Sequence, residues 1–293
     1  MNRPNTRSLA LLLVAWLLGS PHVARAAESY DNCTGFITSL PAVISTPGTW
    51  CLKKDLATAM SSGNAVEIQT DDVVIDCNNF KLGGLAAGLG TSTSGIYSNN
   101  RARITVRHCN IRGFFYGLLL TGNGSDQLAE DNRFDNNTYV AVAVSGDGSI
   151  VRRNRVFDTG GSTLQANVYG ISVDTIWAAG STDVIDNTVV AAKSGTDGSA
   201  FGIQTVSLDT ASVSGNRVRS LLANGAGIVR AISSFSTVSH LSMRDNDITG
   251  DGSAGSIGLY CQGSGDRSKD NVIGGFSTGI SGCNDDNGND VTP

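Results

Sequence analysis

The sequence predicts an all-β, single-domain solenoid of about eight turns, and three observations carry that prediction. First, one frame recurs down the chain: a small or apolar residue, two mostly polar residues, an asparagine, one further residue, then Val, Ile or Phe. It aligns Asn78, Asn132, Asn154, Asn187, Asn216, Asn246 and Asn271, with Cys109 once in the same position, at steps of 22 to 33 residues. Repeats of this size built from short β-like units indicate stacked coils. Second, a further β-run lies between ladder positions, as in Tyr116-Gly117-Leu118-Leu119-Leu120, Tyr169-Gly170-Ile171-Ser172-Val173 and Phe201-Gly202-Ile203. Third, 36 glycines against 5 prolines fit frequent tight turns, while β-branched residues throughout exclude a disordered glycine-rich linker.

The elements follow in order. Residues 1–26 read as a signal peptide: Arg3 and Arg7 precede the apolar stretch Leu9–Leu18, and Ala24-Arg25-Ala26 offers a small-residue cleavage site. That stretch is too short for a stable membrane span, so no spanning helix is expected. Residues 27–64 are expected to cap the first open β-edge, with Cys51–Ser61 as a strand or a short amphipathic helix. Residues 65–283 carry the repeats, and 284–293 read as a polar tail. At each corner the asparagine is expected to tolerate left-handed backbone and to stack its amide on the next one, because a buried amide without a partner costs about 1–3 kcal/mol.

Charge and cysteine usage narrow the function. Loss of Arg3, Arg7 and Arg25 leaves 18 basic against 26 acidic residues, a net charge of −8. An acidic solenoid without a basic stripe is a poor nucleic-acid binder, and none is expected as a partner. Six cysteines remain after the leader, which suits a secreted or periplasmic protein. Cys77 and Cys109 hold nearly equivalent places on successive turns, as do Cys261 and Cys283, and neighbouring coils lie about 4.8 Å apart. Cys33 and Cys51 flank the segment before the repeats. The expected pairs are therefore 33–51, 77–109 and 261–283.

The repeated G-I and V-x-x-N-x-V pattern behind a signal peptide resembles the right-handed parallel β-helix proteins of the pectin-lyase-like superfamily. The opening Ile44-Ser45-Thr46-Pro47-Gly48-Thr49-Trp50-Cys51 is similar to the cap that precedes such helices, and the likeness covers residues 40–283. It implies a right-handed parallel β-helix. Its members include pectate and alginate lyases, polygalacturonases, mannuronan epimerases, phage tailspikes, adhesins and a periplasmic protein assisting copper-site maturation. Their signatures are absent as sets: Asp71-Asp72 matches only one piece of the polygalacturonase group, and the epimerase Asp-Pro-His-Asp and pectate-lyase Trp-Ile-Asp-His are missing. No residue role carries over from the resemblance, which implies a polysaccharide or cell-surface glycan as partner. The copper branch needs more Met and His than Met60, Met243, His108 and His240 supply. No cofactor or metal site is expected.

The chemistry must come from the two positions before each ladder residue. In the N-terminal half they stack Asp76, Arg107, His108, Glu130, Asp131, Arg152 and Arg153 within a few turns. Planar Arg pairing could hold the carboxylate of an acidic sugar, with Asp76, Arg153 and the flat ring of Trp177 in contact with substrate. For β-elimination, His108 is the base, oriented by Asp131 or Glu130, and Arg107 or Arg152 offsets the substrate charge. For glycoside hydrolysis the pair is Glu130 with Asp131 or Asp76. The alternative is a non-catalytic structural or adhesive protein, in which these charges form solvated ion-pair ladders. Phe114-Phe115-Tyr116 is a second aromatic group that could meet a sugar, although aromatics beside Gly117 also suit turn packing.

Overall fold

The computed structural model describes residues 30–174, 180–206, 210–235 and 240–292. One coil defines the architecture. Ile104–Arg107 lies on a first sheet, His108 and Cys109 make a two-residue corner, and Asn110–Arg112 lies on a second sheet. Tyr116–Thr121 runs along a third before the chain regains the first at Leu128–Glu130. These sheets are called here the charged, short-strand and long-strand faces. Among the described residues they hold 11, 10 and 10 strands, all parallel to their neighbours, and the only helical element is a 3₁₀ turn at Leu85–Ala87. The expected all-β parallel β-helix is the fold observed, and Asp31–Pro293 forms one compact unit.

Alternation on each strand sends one apolar column inward from every face. Ile75, Val106, Ala129, Val151, Val184, Val213 and Met243 pair in register on the charged face. Leu82, Ile111, Phe134, Val156, Val189, Val218 and Ile248 do so on the short-strand face. Ile96, Leu118, Val142, Ile171, Ile203, Ile232 and Leu259 complete the core from the long-strand face. Nearly all are wholly buried, and each such side chain contributes about 1.5–3 kcal/mol.

The asparagine column runs inside the first corner. Asn132, Asn154, Asn187, Asn216, Asn246 and Asn271 are buried, and each of the first five donates Nδ2 to Oδ1 of the next at 2.9–3.1 Å. The same Nδ2 donates to a backbone carbonyl of the preceding coil, such as Ala129 O at 2.9 Å for Asn154. Each Oδ1 also accepts a backbone N–H from the coil before, as Asn187 does from Asn154 at 2.9 Å. Every amide group is thereby satisfied away from water.

Two expectations about this corner are corrected. Except at Asn78, whose φ is 49°, the left-handed φ belongs to the residue before the ladder position: His108, Asp131, Arg153, Asp186, Asp245 and Asp270 have φ of 52–57°, and Gly215 has 67°. Asn78 lies outside the column. Its corner is two residues longer than the later ones, so Cys77 takes the buried place, while Asn78 turns out to donate to Leu52 O at 3.3 Å.

Both ends are coiled further than the ladder implied, which is why the strand counts exceed eight. Gly35–Phe36, Ala42–Ile44, Gly48–Cys51 and Leu56–Ala57 already join the three sheets, so the segment expected as a cap builds the first coil. The tail is corrected likewise: Asn284–Asp285 and Asp290–Thr292 pair with the preceding coil. Asn289 extends the column by accepting from Asn271 Nδ2 at 2.8 Å. Disulfides join Cys33 to Cys51, Cys77 to Cys109 and Cys261 to Cys283, tying adjacent coils near each end.

Candidate functional site

The register sets Asp76, Arg107, Glu130 and Arg152 one above another on the charged face. Opposite charges on successive coils then pair. Arg107 Nε donates to Asp76 Oδ2 at 2.8 Å, and Arg152 donates to Glu130 Oε2 at 2.7 and 3.0 Å. Arg153 grips both oxygens of Asp131 at 2.9 and 2.7 Å and reaches Glu130 Oε2 at 2.8 Å. The Arg153 guanidinium holds the Asp131 carboxyl below the usual carboxylate range against the opposing effect of burial, and Arg152 and His108 add to the lowering. A carboxylate occupied in this way is a weak proton acceptor.

His108 is brought beside Asp76, with Nδ1 3.3 Å from Oδ1, rather than beside Asp131 or Glu130. This corrects its expected orienting partner. The register places Asp76 next to Arg107 on the coil before, while Asp131 and Glu130 are taken by Arg152 and Arg153. The acid pair proposed for hydrolysis is likewise bridged, since one Arg153 nitrogen contacts both Glu130 and Asp131. Trp177 lies outside the described residues.

A hollow of about 550 Å³ opens where the corner meets the short-strand face. Of the anticipated charged residues it is lined by Asp131 and Arg153, and beyond them by Arg133, Arg155 and Asp186. Asp76, Arg107, His108, Glu130 and Arg152 do not line it. Among the described residues no group of three or more His, Cys, Asp or Glu is placed to hold a metal ion, and no helix is long and apolar enough to cross a membrane.

The long-strand face carries a different surface. Tyr116, Tyr139, Tyr169 and Phe201 form a continuous row across four coils, with ring centroids 5.4, 5.6 and 4.9 Å apart, and Phe115 stacks on Tyr139 at 4.7 Å. The row is possible because the next residue is glycine in three of the four strands. A Cβ at Gly170 or Gly202 would come within 2.4 Å of a core valine, so the chain there runs tight against the interior. Beside the tyrosines lies a groove of about 400 Å³, floored by Leu119, Ala143, Thr121, Ser145, Ser172 and Gln204, with Asp174 at one end. Burial pushes the Tyr139 phenol up to about 12 and raises Tyr116 and Tyr169. All three hydroxyls therefore stay neutral donors and acceptors at physiological pH.

Comparison with known proteins agrees with this architecture. The right-handed β-helix region family matches residues 57–218, more than half of the chain. The protein belongs to that family. Among solved structures this β-helix is similar to the Dettilon tailspike protein (gp208), at 13% identity and a TM-score of 0.34. The match covers 84% of this chain and 60% of the tailspike chain. No curated protein matches.

Two sets of residues in this β-helix escaped the sequence reading, and both had a signal. Arg133 and Arg155 follow the ladder asparagine in consecutive repeats, Asn132-Arg133-Phe134 and Asn154-Arg155-Val156, whereas attention fell on the positions before it. The aromatic row occupies one place in four successive repeats, directly before the long strand's first glycine or valine. The sequence left Phe114-Phe115-Tyr116 open between sugar contact and packing; Phe114, Phe115 and Phe201 are buried, whereas the Tyr116, Tyr139 and Tyr169 rings are partly exposed.

Proposed function

We propose that the protein binds a polysaccharide on its long-strand face and holds it without cleavage. The observation that carries this reading is the tyrosine row flanking a groove of about 400 Å³ with a hydroxyl- and amide-lined floor. Sugar rings offer apolar faces that suit aromatic side chains and hydroxyls that suit neutral polar groups, and this wall and floor supply both. The leader-like N-terminus and three disulfides support a location outside the cytoplasm. Support for turnover is weaker on this reading, because Glu130 and Asp131 are engaged by guanidinium groups and His108 lines neither groove.

A glycan array probed with the mature chain tests the proposal. Binding to defined oligosaccharides that drops about tenfold or more in Tyr139→Ala and Tyr169→Ala is the expected result. Retained binding in both variants overturns it. New ultraviolet absorbance from unsaturated ends in uronate polymers, lost in His108→Ala and Arg107→Ala, would establish the elimination chemistry instead.

A further inference from the structure

The short-strand face holds a second feature, unconnected to the tyrosine row. Arg133 and Arg155 are direct register partners on adjacent strands and lie on the same outward column. Like charges directly opposite each other in a sheet are destabilising. Elsewhere this chain avoids the problem by setting a carboxylate beside a guanidinium one coil away: Arg107 with Asp76 at 2.8 Å, Arg152 with Glu130 at 2.7 Å and Arg217 with Asp247 at 3.0 Å. Arg155 has no such partner within 4.0 Å among the described residues. Arg133 reaches only Asp135 at 3.6 Å, a carboxylate it shares with Arg112 at 3.8 Å.

The surroundings suit an anion. The Arg133 guanidinium lies 4.5 Å over the Phe157 ring, a stacking contact that steadies its plane without using its N–H donors. The hollow of about 550 Å³ contains Arg133, Arg153 and Arg155 against the carboxylates Asp131 and Asp186, a positive balance in a protein of net charge −5. Arg153 is already engaged by Asp131, so the free donors are those of Arg133 and Arg155. A second hollow of about 290 Å³ shares Asn79, Asn110 and Arg133 with the first, and its other cations are matched, Lys81 by Asp55 at 2.9 Å and Arg112 by Asp135 at 3.8 Å. Arg133 thus borders both hollows, with Arg155 directly beside it on the adjacent coil.

The geometry points to Arg133 and Arg155 as a binding site for the carboxylate or sulfate groups of an extended acidic polymer. The ligand anion would occupy the place that a carboxylate fills between other arginines of the coil, taking planar, charge-assisted hydrogen bonds. The site stands apart from the neutral-sugar groove on the long-strand face and does not depend on it.

Calorimetric titration of the mature chain with oligogalacturonate, a sulfated oligosaccharide, a neutral oligomer of equal length and inorganic phosphate tests the assignment. At low salt at least one acidic oligomer binds, and Arg155→Gln weakens it roughly tenfold. The Arg133→Gln/Arg155→Gln double variant abolishes the binding, and Arg217→Gln on the same face leaves it within about twofold. Tyr139→Ala changes none of these values, which separates this site from the proposed groove. The melting temperature of unliganded Arg155→Gln stays level or rises, since repulsion is relieved, while the rise produced by acidic oligomer is lost. Equal binding by Arg155→Gln and Arg217→Gln, a lowered melting temperature of Arg155→Gln without ligand, or binding of inorganic phosphate alone would each overturn the proposal.

Discussion

Two polar columns run side by side through the same corner of this coil, one or two residues apart in sequence. The inner one is asparagine, wholly buried, with every donor and acceptor met by the next coil. The outer one is Asp, Glu, Arg and His, with Asp76 and Glu130 largely covered and the guanidinium groups that match them open to water. The two look equally regular, but burial makes their energetics unequal. An unmade hydrogen bond inside costs the full desolvation of the group, whereas an exposed ion pair is worth about 0–1 kcal/mol. Stability therefore resides in the column that looks chemically inert. The two proposed binding sites lie where the outward pattern is left incomplete, at the tyrosine row and at Arg133 and Arg155.

The largest effect expected from breaking this contrast comes from the inner column. Asn187→Ala removes the acceptor for Asn154 N and Nδ2 at 2.9 and 3.0 Å and leaves both donors buried. A loss of about 4 kcal/mol in urea unfolding is expected, from two unsatisfied donors at about 1–3 kcal/mol each. A loss below about 1 kcal/mol would show that water enters the corner and that the two columns do not differ. Opening the Cys77–Cys109 bridge by Cys→Ser at both positions comes next. These residues, 32 apart, begin the column, and removal is expected to cost about 3 kcal/mol, read from the same denaturation curves.

The outer column should respond much less. Arg152→Ala breaks the pair with Glu130 and is expected to cost about 1 kcal/mol or less, because its side chain is 37% exposed. A cost approaching that of Asn187→Ala would remove the distinction between the columns. The smallest effect is one of pH. The folded Asp131 carboxyl sits below its unfolded value, so its contribution is complete above the usual carboxylate pKa of about 3.9 and is lost as pH falls further. Asp131→Asn should therefore flatten the stability profile below about pH 4 and lower it by a pH-independent amount near neutrality. On the long-strand face the sign reverses. The Tyr139 phenol is raised to about 12, so the folded state holds that proton more tightly and stability declines as pH climbs past the free phenol's value of about 10. Tyr139→Phe should reduce that alkaline decline, measured as thermal melts across the same range, with the raised Tyr116 and Tyr169 phenols carrying the rest.

The frame of small or apolar residue, two polar residues and asparagine was legible because stacking demands the same residue type at the same place on each coil. For the same reason Cys77 could be matched with Cys109, and Cys261 with Cys283, without coordinates. The charges before the ladder were legible as a column but not as a set of partners. His108 could have met carboxylates on either neighbouring coil, and only the register of Asp76 with Arg107 turns it toward Asp76. Asn78 shows the limit of motif reading, since two extra residues in one corner moved it out of a column whose spelling it satisfies.

Repetition in the sequence by itself determined the coil, its inward apolar columns and the polar corner, because each of these is a property of one repeat copied along an axis. The tertiary structure alone decided which outward residues share a groove. The Tyr116, Tyr139 and Tyr169 rings and the Arg133 and Arg155 side chains become neighbours through inter-coil register, between residues 22 to 30 positions apart. A periodic pattern states that such residues recur. Whether their side chains meet one another, meet an opposite charge or stay open to solvent depends on loop lengths and on how each strand pairs.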